Sequence, residues 1–304
     1  MARYRRSDMD IKRFVYQRKR LGYSQVALSK GICTQSTLSK FESNGQVPSL
    51  TILAQLCDRL GLTIDDLSKD NTSSIRYMRS LLDQIELALM IEHFPQAVSN
   101  LKKIRLEELE SPQDRMQYYY LKGMIYTLTN NNASTSLFNF TKILDELDEQ
   151  HRTIFSPLAY LGSGILYARQ NSMEHADFFF SKVISFLRSK ADEDLAGVDR
   201  NYYLRIVTMM YYAAEYHSLN KRLEVSNQVL EATTKICASN HVTYFLPRIK
   251  LLEANNAIEL GESSKKIRRL LTEAEVFARF NKNNVVEVQV AALLNNFDKT
   301  ISNK

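Results

Sequence analysis

The sequence is poor in the residues that form tight turns and disulfides. Its 304 residues include nine glycines, five prolines, three cysteines and no tryptophan. A β-sandwich or barrel needs a turn about every 8–12 residues, so the scarcity of glycine and proline excludes these classes and predicts an all-α chain. The cysteines, Cys33, Cys57 and Cys237, are odd in number and far apart. They argue against a disulfide framework and indicate the reducing environment of the cytoplasm.

Long hydrophobic runs and catalytic motifs are lacking as well. No run reaches the ~18 apolar residues of a membrane-spanning helix, and no hydrophobic stretch follows the basic N-terminus as it would in a secretory signal. The sequence has no glycine-rich phosphate loop, no HExxH and no CxxC, and its five histidines are scattered. Gly162-Ser163-Gly164 lies in a predicted helix, without the strand context that phosphate binding needs. We therefore expect no enzyme, no cofactor, no metal site and no membrane partner.

What is present is an uneven distribution of charge. Residues 1–70 hold 12 of the 40 basic and 7 of the 34 acidic residues, while the remaining 234 residues are nearly neutral. A basic head on a neutral body indicates that the head binds a polyanion such as nucleic acid. The basic residues that dominate the head are Arg3, Arg5, Arg6, Lys12, Arg13, Arg18, Lys19 and Arg20.

Capping residues predict five short helices in this head. The residues that open them, in chain order, are Ser7, Ser24, Thr34, Ser49 and Thr63. The third helix runs to about Ser43 and ends at Asn44-Gly45. The apolar positions expected inside the second and fourth helices are Val26, Leu28, Leu50, Leu53, Leu56 and Leu60. A short second helix followed after a few residues by a third is the layout of a helix-turn-helix domain.

Residues 24–67 also contain a set of motifs that carry a family resemblance. These are Ser24-Gln25, Leu28-Ser29, Gln35-Ser36, Leu38-x-x-Phe41-Glu42, Pro48-Ser49 and Leu60-Gly61. With them the segment resembles the Cro/phage-repressor (XRE) class of DNA-binding domains. Cys33 departs from the turn glycine of many relatives, and the Ile32-Cys33-x-Gln35-Ser36 form is more similar to the PlcR type of regulator.

The third helix is the one expected to read DNA. In this fold it lies in the major groove with its first residues at the base edges, where glutamine can pair with adenine and lysine with guanine. Gln25, at the start of the second helix, is placed for a phosphate. The candidate DNA-binding residues are Gln25, Thr34, Gln35, Ser36, Thr37, Ser39, Lys40 and Asn44. The alternative for each is an ordinary solvated surface residue, and Glu42 is interpreted as an internal brace.

The rest of the chain repeats one spacing pattern. Residues 160, 164, 167, 176, 180 and 183 place large, small and aromatic side chains as in a tetratricopeptide (TPR) helix pair. Four further units follow similar steps, and the last of them is assigned from Leu251, Asn255 and Ile258. Val285–Phe297 predicts a final helix that caps the array or pairs with a second subunit. We thus predict a helix-turn-helix domain (1–67), a linker (68–74) and a right-handed TPR-like solenoid (75–304) of about five helix pairs.

Solenoids of this kind have a concave face that binds peptides or protein segments. An arginine there can hold a carboxylate, and an asparagine can bond an extended backbone. The alternative is that these side chains only pack between helices. The candidate peptide-binding residues are Gln117, Tyr120, Met124, Thr127, Leu161, Ile165, Arg169, Arg205, Thr208, Tyr212, Glu215, Asn256 and Glu259.

Taken together, the two parts resemble the RNPP family of Gram-positive quorum-sensing regulators (Rgg, PlcR and PrgX types). The resemblance implies a cytoplasmic homodimer on a pseudo-palindromic DNA site. It also implies that a short signalling peptide, bound by the TPR-like domain, alters DNA binding or activation. Two alternatives remain. One is a ligand-independent repressor whose helical body dimerises or binds a protein partner. The other is a TPR adaptor with a vestigial head.

Overall fold

The computed structural model describes residues 11–62, 64, 67, 71–190 and 200–302, without the side chains of 71–74 and 296–302. Within these ranges the chain forms fifteen α-helices and no strand, so the all-α prediction is confirmed. The first six helices are α1 Ile11–Arg20, α2 Gln25–Ser29, α3 Gln35–Asn44, α4 Leu50–Arg59, α5 Asn71–Met90 and α6 Phe94–Leu101. The next five are α7 Pro112–Leu128, α8 Ala133–Thr141, α9 Phe155–Arg169, α10 Met173–Ser189 and α11 Arg200–Leu219. The last four are α12 Leu223–Ser239, α13 Leu246–Glu259, α14 Ser264–Asn281 and α15 Asn284–Ser302. None of the helices, over the residues described, is long and apolar enough to cross a bilayer.

The contacts divide the chain into two compact units. The first extends to Ser80 and includes Arg105–Glu110, and the second comprises Leu81–Ile104 and the chain from Ser111 onward. Helix α5 begins at Asn71, so residues 71–74 of the predicted linker are helical, and residues 68–70 lie outside the described part. The domain limits taken from the sequence stay a prediction.

The first unit is built around a small apolar core. Phe14 meets Phe41 edge to face with ring centroids 5.1 Å apart, and leucines from α2, α3 and α4 complete the cluster. The predicted caps of α2, α3 and α4 are confirmed, because Ser24, Thr34 and Ser49 each accept a hydrogen bond from a backbone N–H in the first turn. These caps satisfy donors that a helix leaves unpaired at its start. Helix α3 ends as predicted, at Gly45 with φ +66°.

Two of the apolar positions predicted to be buried in the head are wrong. Val26 is 66% exposed and Leu50 is 51% exposed. Helix α2 has only five residues and buries Leu28 and Ser29, which leaves the side of Val26 facing solvent. Leu50 is the first residue of α4 and lies outside the stripe that buries Leu53 and Leu56. The caps predicted at Ser7 and Thr63 lie outside the described residues.

In the second unit five helix pairs share one turn geometry. The pairs are α5–α6, α7–α8, α9–α10, α11–α12 and α13–α14. In each turn a carbonyl near the end of the first helix accepts a hydrogen bond from the backbone N–H five residues later in the chain. The five carbonyls belong to Ala88, Tyr126, Tyr167, His217 and Ala257. One residue of each turn has a positive φ: Glu92, Asn130, Asn171, Lys221 and Gly261. The same turn also follows α12 and α14, at the carbonyls of Cys237 and Ala278. It therefore marks a regular succession of helices up to α15, and the pairing inferred from side-chain spacing stays a prediction.

Small residues let the helices of these pairs approach closely. Phe140 of α8 lies against two glycines, Gly123 of α7 and Gly162 of α9. A Cβ on Gly123 would be 2.5 Å from the Phe140 ring, and one on Gly162 would be closer still. The predicted inward positions of the last unit need a correction. Asn255 and Ile258 are exposed, and the residues one place earlier, Ala254 and Ala257, make the contact with α14.

The carboxylate of Asp148 organises the connection from α8 to α9. It accepts hydrogen bonds from the N–H groups of Arg152 (2.9 Å) and Thr153 (3.1 Å), and from the hydroxyls of Thr153 (2.8 Å) and Ser156 (2.6 Å). Burial acts to raise the pKa of Asp148, but the hydrogen bonds from Ser156 and Thr153 outweigh it and hold the pKa below its ordinary value. The ionised form is therefore the one that the fold stabilises.

We expect Asp148→Asn to lower the free energy of unfolding by about 1.5–3 kcal/mol at pH 7, since charge-assisted hydrogen bonds are lost. Because the folded-state pKa is lowered, this stabilisation is fully present above the ordinary pKa and disappears as the pH falls through the folded value. Urea unfolding of both proteins should therefore give a constant difference between pH 7 and about 5 that shrinks below about pH 4. The exposed neighbour Glu149→Gln is the control. Equal effects of the two changes at pH 7 would contradict the assignment.

Candidate functional sites

The exposed face of α3 in the first unit carries the predicted DNA-reading residues. Gln35, Ser36 and Lys40 are exposed, opposite the buried side of Leu38 and Phe41. Thr34 caps the helix and its hydroxyl also contacts that of Thr37 at 2.8 Å. Ser39 is half-buried and Asn44, the last residue of α3, is exposed. The structure thus brings the polar side chains predicted on α3 onto one helix surface.

A chain of hydrogen bonds connects this surface to the core of the unit. Arg18 holds Glu42 through two bonds of 2.6 and 2.9 Å. The same carboxylate accepts from the amide of Gln25 at 2.8 Å, and the Gln25 carbonyl oxygen accepts from Gln35 Nε2 at 2.8 Å. Gln35 keeps its own carbonyl oxygen and one N–H free of these bonds, which is the pair that an adenine edge requires.

This chain of bonds revises the expectation for Arg18 and supports the one for Glu42. Arg18 was counted with the basic residues facing a polyanion, but its side chain is buried and paired with Glu42. The phosphate contact of Gln25 stays a prediction, and its amide also links Glu42 to Gln35. Glu42 is the internal brace that the sequence indicated.

In the second unit, predicted groove residues from α7 and α11 meet around an acid that the sequence analysis missed. Glu86 of α5 forms a bidentate ion pair with Arg205, with bonds of 2.8 and 2.9 Å, and accepts from Gln117 at 2.7 Å. The Arg205 guanidinium also lies 4.6 Å from the Phe155 ring centroid. Burial acts to lower the pKa of Arg205, but Glu86 holds that pKa above its ordinary value. Arg205 is therefore a permanently charged group that already has its carboxylate.

Around this ion pair there is little free space. Glu86, Tyr120, Met124, Thr208 and Tyr212 line a cavity of about 10 Å³, roughly the size needed for one water. Helices α5, α7 and α11 fill the interior at this level with their own side chains.

The other predicted groove residues divide into packing, capping and exposed positions. Thr127, Leu161 and Ile165 are buried. Arg169 donates to the carbonyls of Thr127 and Leu128, both at 2.9 Å, and so caps the end of α7. Among the remaining polar members, Asn256 is buried and bonded to Ser218, Ser226 and Asn227. Glu259 pairs with Lys221, and Glu215 is half-buried. For Arg169 and Asn256 the alternative reading, packing between helices, fits the observed contacts better.

A second residue that the sequence analysis missed is Arg248 of α13. It is buried beside Tyr211 and Tyr212, with its guanidinium 4.1 and 4.9 Å from their ring centroids, and its Nε lies 3.6 Å from Glu92. The available signal for Glu86 was an acid between Ile85 and the apolar residues 87–90 at the end of α5. For Arg248 the signal was an arginine directly after the proline that opens α13.

Two of the three thiols, Cys33 and Cys237, have raised pKa values. Burial raises the pKa of the Cys237 thiol to about 12 and also raises the pKa of Cys33. A thiol with a raised pKa is a poor nucleophile. Within the ranges that the structure covers, no three His, Cys, Asp or Glu side chains are grouped as metal ligands.

The fold and the exposed face of α3 define a protein with a helix-turn-helix head and a helical-repeat body. Residues 16–67 match the helix-turn-helix family. The chain is 23% identical over 272 residues to the transcriptional activator NprA of Geobacillus stearothermophilus, an alignment that covers 84% of this chain and 62% of NprA. The family match covers the head alone, and the chain spans less than two thirds of the length of NprA.

Two solved structures share the fold over nearly the whole chain. One is PlcR of Bacillus thuringiensis in complex with the peptide PapR7 and DNA, with a TM-score of 0.58, 17% identity, and coverage of 93% of this chain and 99% of PlcR. The other is ComR of S. thermophilus in complex with DNA and its signalling peptide ComS, with a TM-score of 0.60, 15% identity, and coverage of 94% and 98%. The resemblance to RNPP-type regulators is confirmed at the level of the fold. NprA is a transcriptional activator, in agreement with the sequence-based expectation that this chain is not an enzyme.

Proposed function

We propose that the protein is a sequence-specific DNA-binding transcriptional regulator that acts as a homodimer and whose helical body responds to a short peptide. The observation that carries the DNA-binding part is the exposed α3 surface, on which Gln35 is held by Gln25 and Glu42. A side chain fixed in this way is suited to read a base edge. The peptide response is supported by the common fold with PlcR and ComR, whose structures contain signalling peptides.

The reading surface can be tested by two single substitutions. We expect Gln35→Ala and Lys40→Ala each to weaken operator binding by about 1–3 kcal/mol, because each removes a base contact. The loss should fall on the specific site and leave most non-specific affinity in place. Fluorescence anisotropy on labelled DNA from upstream of the protein's own gene measures it at fixed salt.

Lys102→Ala is the matched control, since it removes the same charge from an exposed site on the body. Operator affinity of a Gln35→Ala/Lys40→Ala double variant equal to that of the wild type would overturn α3 as the reading helix. It would favour the adaptor alternative, in which the head is vestigial.

The peptide response is tested by the same anisotropy titration with and without a small-peptide extract of the source culture. A shift in operator affinity with the extract is expected, because a ligand that binds one arrangement of the dimer better shifts the population toward it. Tight binding that the extract leaves unchanged would favour the ligand-independent repressor.

A further inference from the structure

The second unit contains a cleft of which the sequence analysis predicted a single lining residue, Glu215. Its volume is about 450 Å³, within the range of small-ligand sites. It is lined by Glu92, Tyr211, Glu215, Arg248, Leu251, Leu252, Asn255, Gln289, Ala292 and Leu293. The lining comes from α11, α13 and α15 and from the turn after α5. Unlike the filled interior around Glu86, this cleft has room for several side chains.

Arg248 is the first unusual feature of the cleft. Its side chain is only 6% exposed, so its charge is largely removed from water. Its nearest acid is Glu92 at 3.6 Å, too far for a hydrogen bond, and its Nη1 has no hydrogen-bond partner. Removing an arginine from water is costly unless its donors are satisfied. The Arg248 guanidinium therefore has donor capacity that the chain itself does not use.

Glu215 is the second unusual feature of the cleft. Its carboxylate is half-buried and accepts one hydrogen bond, from the Tyr211 hydroxyl at 3.0 Å. No cation pairs with it at ion-pair distance among the residues described. Glu92 lies next to Arg248 and is bonded to Asn283 (3.2 Å), and Glu215 also interacts electrostatically with Arg248. One guanidinium thus faces two acids, and one negative charge is left over.

The remaining lining residues define what else the ligand must offer. Leu251, Leu252 and Leu293 supply an apolar surface, while Asn255 and Gln289 supply exposed amides. Amides of this kind bond an extended peptide backbone. A fitting ligand is therefore apolar over part of its length, carries a positive charge, and has a carbonyl or carboxylate oxygen for Arg248.

We propose that this cleft binds a short peptide with a positively charged group at Glu215 and a backbone oxygen at Arg248. The proposal rests on the proposed function and specifies where the peptide binds and what chemistry selects it. A cationic side chain or amino terminus pairs with the carboxylate of Glu215, which has no cation at ion-pair distance among the described residues. A backbone carbonyl or terminal carboxylate uses the guanidinium, and leucines cover the apolar side chains.

The test uses two matched libraries of synthetic heptapeptides and the full-length protein. Each peptide of the first library has one lysine among apolar residues, and in the second library norleucine replaces that lysine. Retention on immobilised protein is quantified by mass spectrometry. We expect the wild type to retain the lysine library at least about tenfold better, which corresponds to about 1.4 kcal/mol.

Three variants separate the contributions of Glu215 and Arg248 to peptide retention. Glu215→Gln keeps an acceptor for Tyr211 but removes the charge, so it should retain both libraries equally. Arg248→Lys keeps the charge but loses the planar fork of donors, so it should retain both libraries less well while still preferring lysine. Glu224→Gln, an exposed acid of α12 outside the cleft, should behave like the wild type. Equal thermal unfolding midpoints establish that the variants are folded.

Lack of preference for lysine in the wild type, or preference that survives Glu215→Gln, would overturn this assignment of the cleft and leave peptide regulation in place. Retention by Arg248→Lys equal to that of the wild type would overturn the role of Arg248. If neither library is retained and the culture extract leaves operator affinity unchanged, peptide sensing itself is overturned together with the cleft.

Discussion

Replacing Glu42 by alanine is expected to destabilise the first unit by about 3–5 kcal/mol, the usual effect of leaving one partner of a buried ion pair alone. Arg18 would keep a single strong acceptor, the carbonyl of Tyr23 at 2.7 Å, and its guanidinium would stay buried without a counter-charge. Gln25 would lose its acceptor as well. Because these groups hold Gln35, operator affinity should fall together with stability.

Hydrogen exchange of the full-length protein measures this effect locally. Amides of α1, α2 and α3 should lose protection in Glu42→Ala, while those of α7–α14 should keep it. Asp58→Ala, an exposed acid of α4, is the control. A paired Arg18→Met/Glu42→Leu replacement should restore much of the protection, since a buried pair can be exchanged for apolar residues, but not the ordering of Gln35. Unchanged exchange in Glu42→Ala would show that the pair does not stabilise the unit.

Phe140→Ala is expected to lower the free energy of unfolding of the second unit by about 3–5 kcal/mol. Phe140 is fully buried, and its ring occupies the space left by Gly123 and Gly162 on the neighbouring helices. Backbones held apart by that ring cannot close completely around an alanine, so a cavity remains. Phe138 of the same helix, which is 57% exposed, provides a control whose replacement by alanine should change stability by less than about 1 kcal/mol.

Urea unfolding followed by circular dichroism compares Phe140→Ala with Phe138→Ala. Enlarging a glycine that contacts the Phe140 ring gives a second check. Gly162→Ala adds a methyl group where the Phe140 ring already lies, and should destabilise by about 1–3 kcal/mol. Combining it with Phe140→Leu should cost less than the sum of the two single effects, because the smaller side chain makes room. Strict additivity, or equal losses for Phe138→Ala and Phe140→Ala, would contradict this packing.

Features of the fold that depend on neighbouring residues were predictable from the sequence. Ser24, Thr34 and Ser49 determine helix starts through bonds to N–H groups three residues away. The exposure of Val26 and Leu50 was not predictable in this way. Hydrophobicity alone does not tell which side of a five-residue helix, or which end of a longer one, faces the core.

Prediction from neighbouring residues was even more limited for the candidate sites than for the fold. The polar face of α3 follows from helical periodicity, and the brace at Glu42 follows from the cost of an acid beside phosphate. Glu86 and Arg205, by contrast, are 119 positions apart, and no local pattern indicates that they meet. The same holds for Arg248, whose importance depends on Glu92 and Glu215 from two other helical pairs.

The repeated turn of the second unit has a consequence for Glu92. A left-handed backbone costs a non-glycine residue roughly 1–2 kcal/mol, and Gly261 avoids this penalty at the corresponding place in the last pair. At φ +59° Glu92 therefore carries conformational strain that a glycine would relieve. A glycine there would also remove the carboxylate beside Arg248. Local backbone stability thus favours glycine at position 92, whereas the electrostatics of the cleft favour glutamate. This chain has the glutamate, which retains the charge.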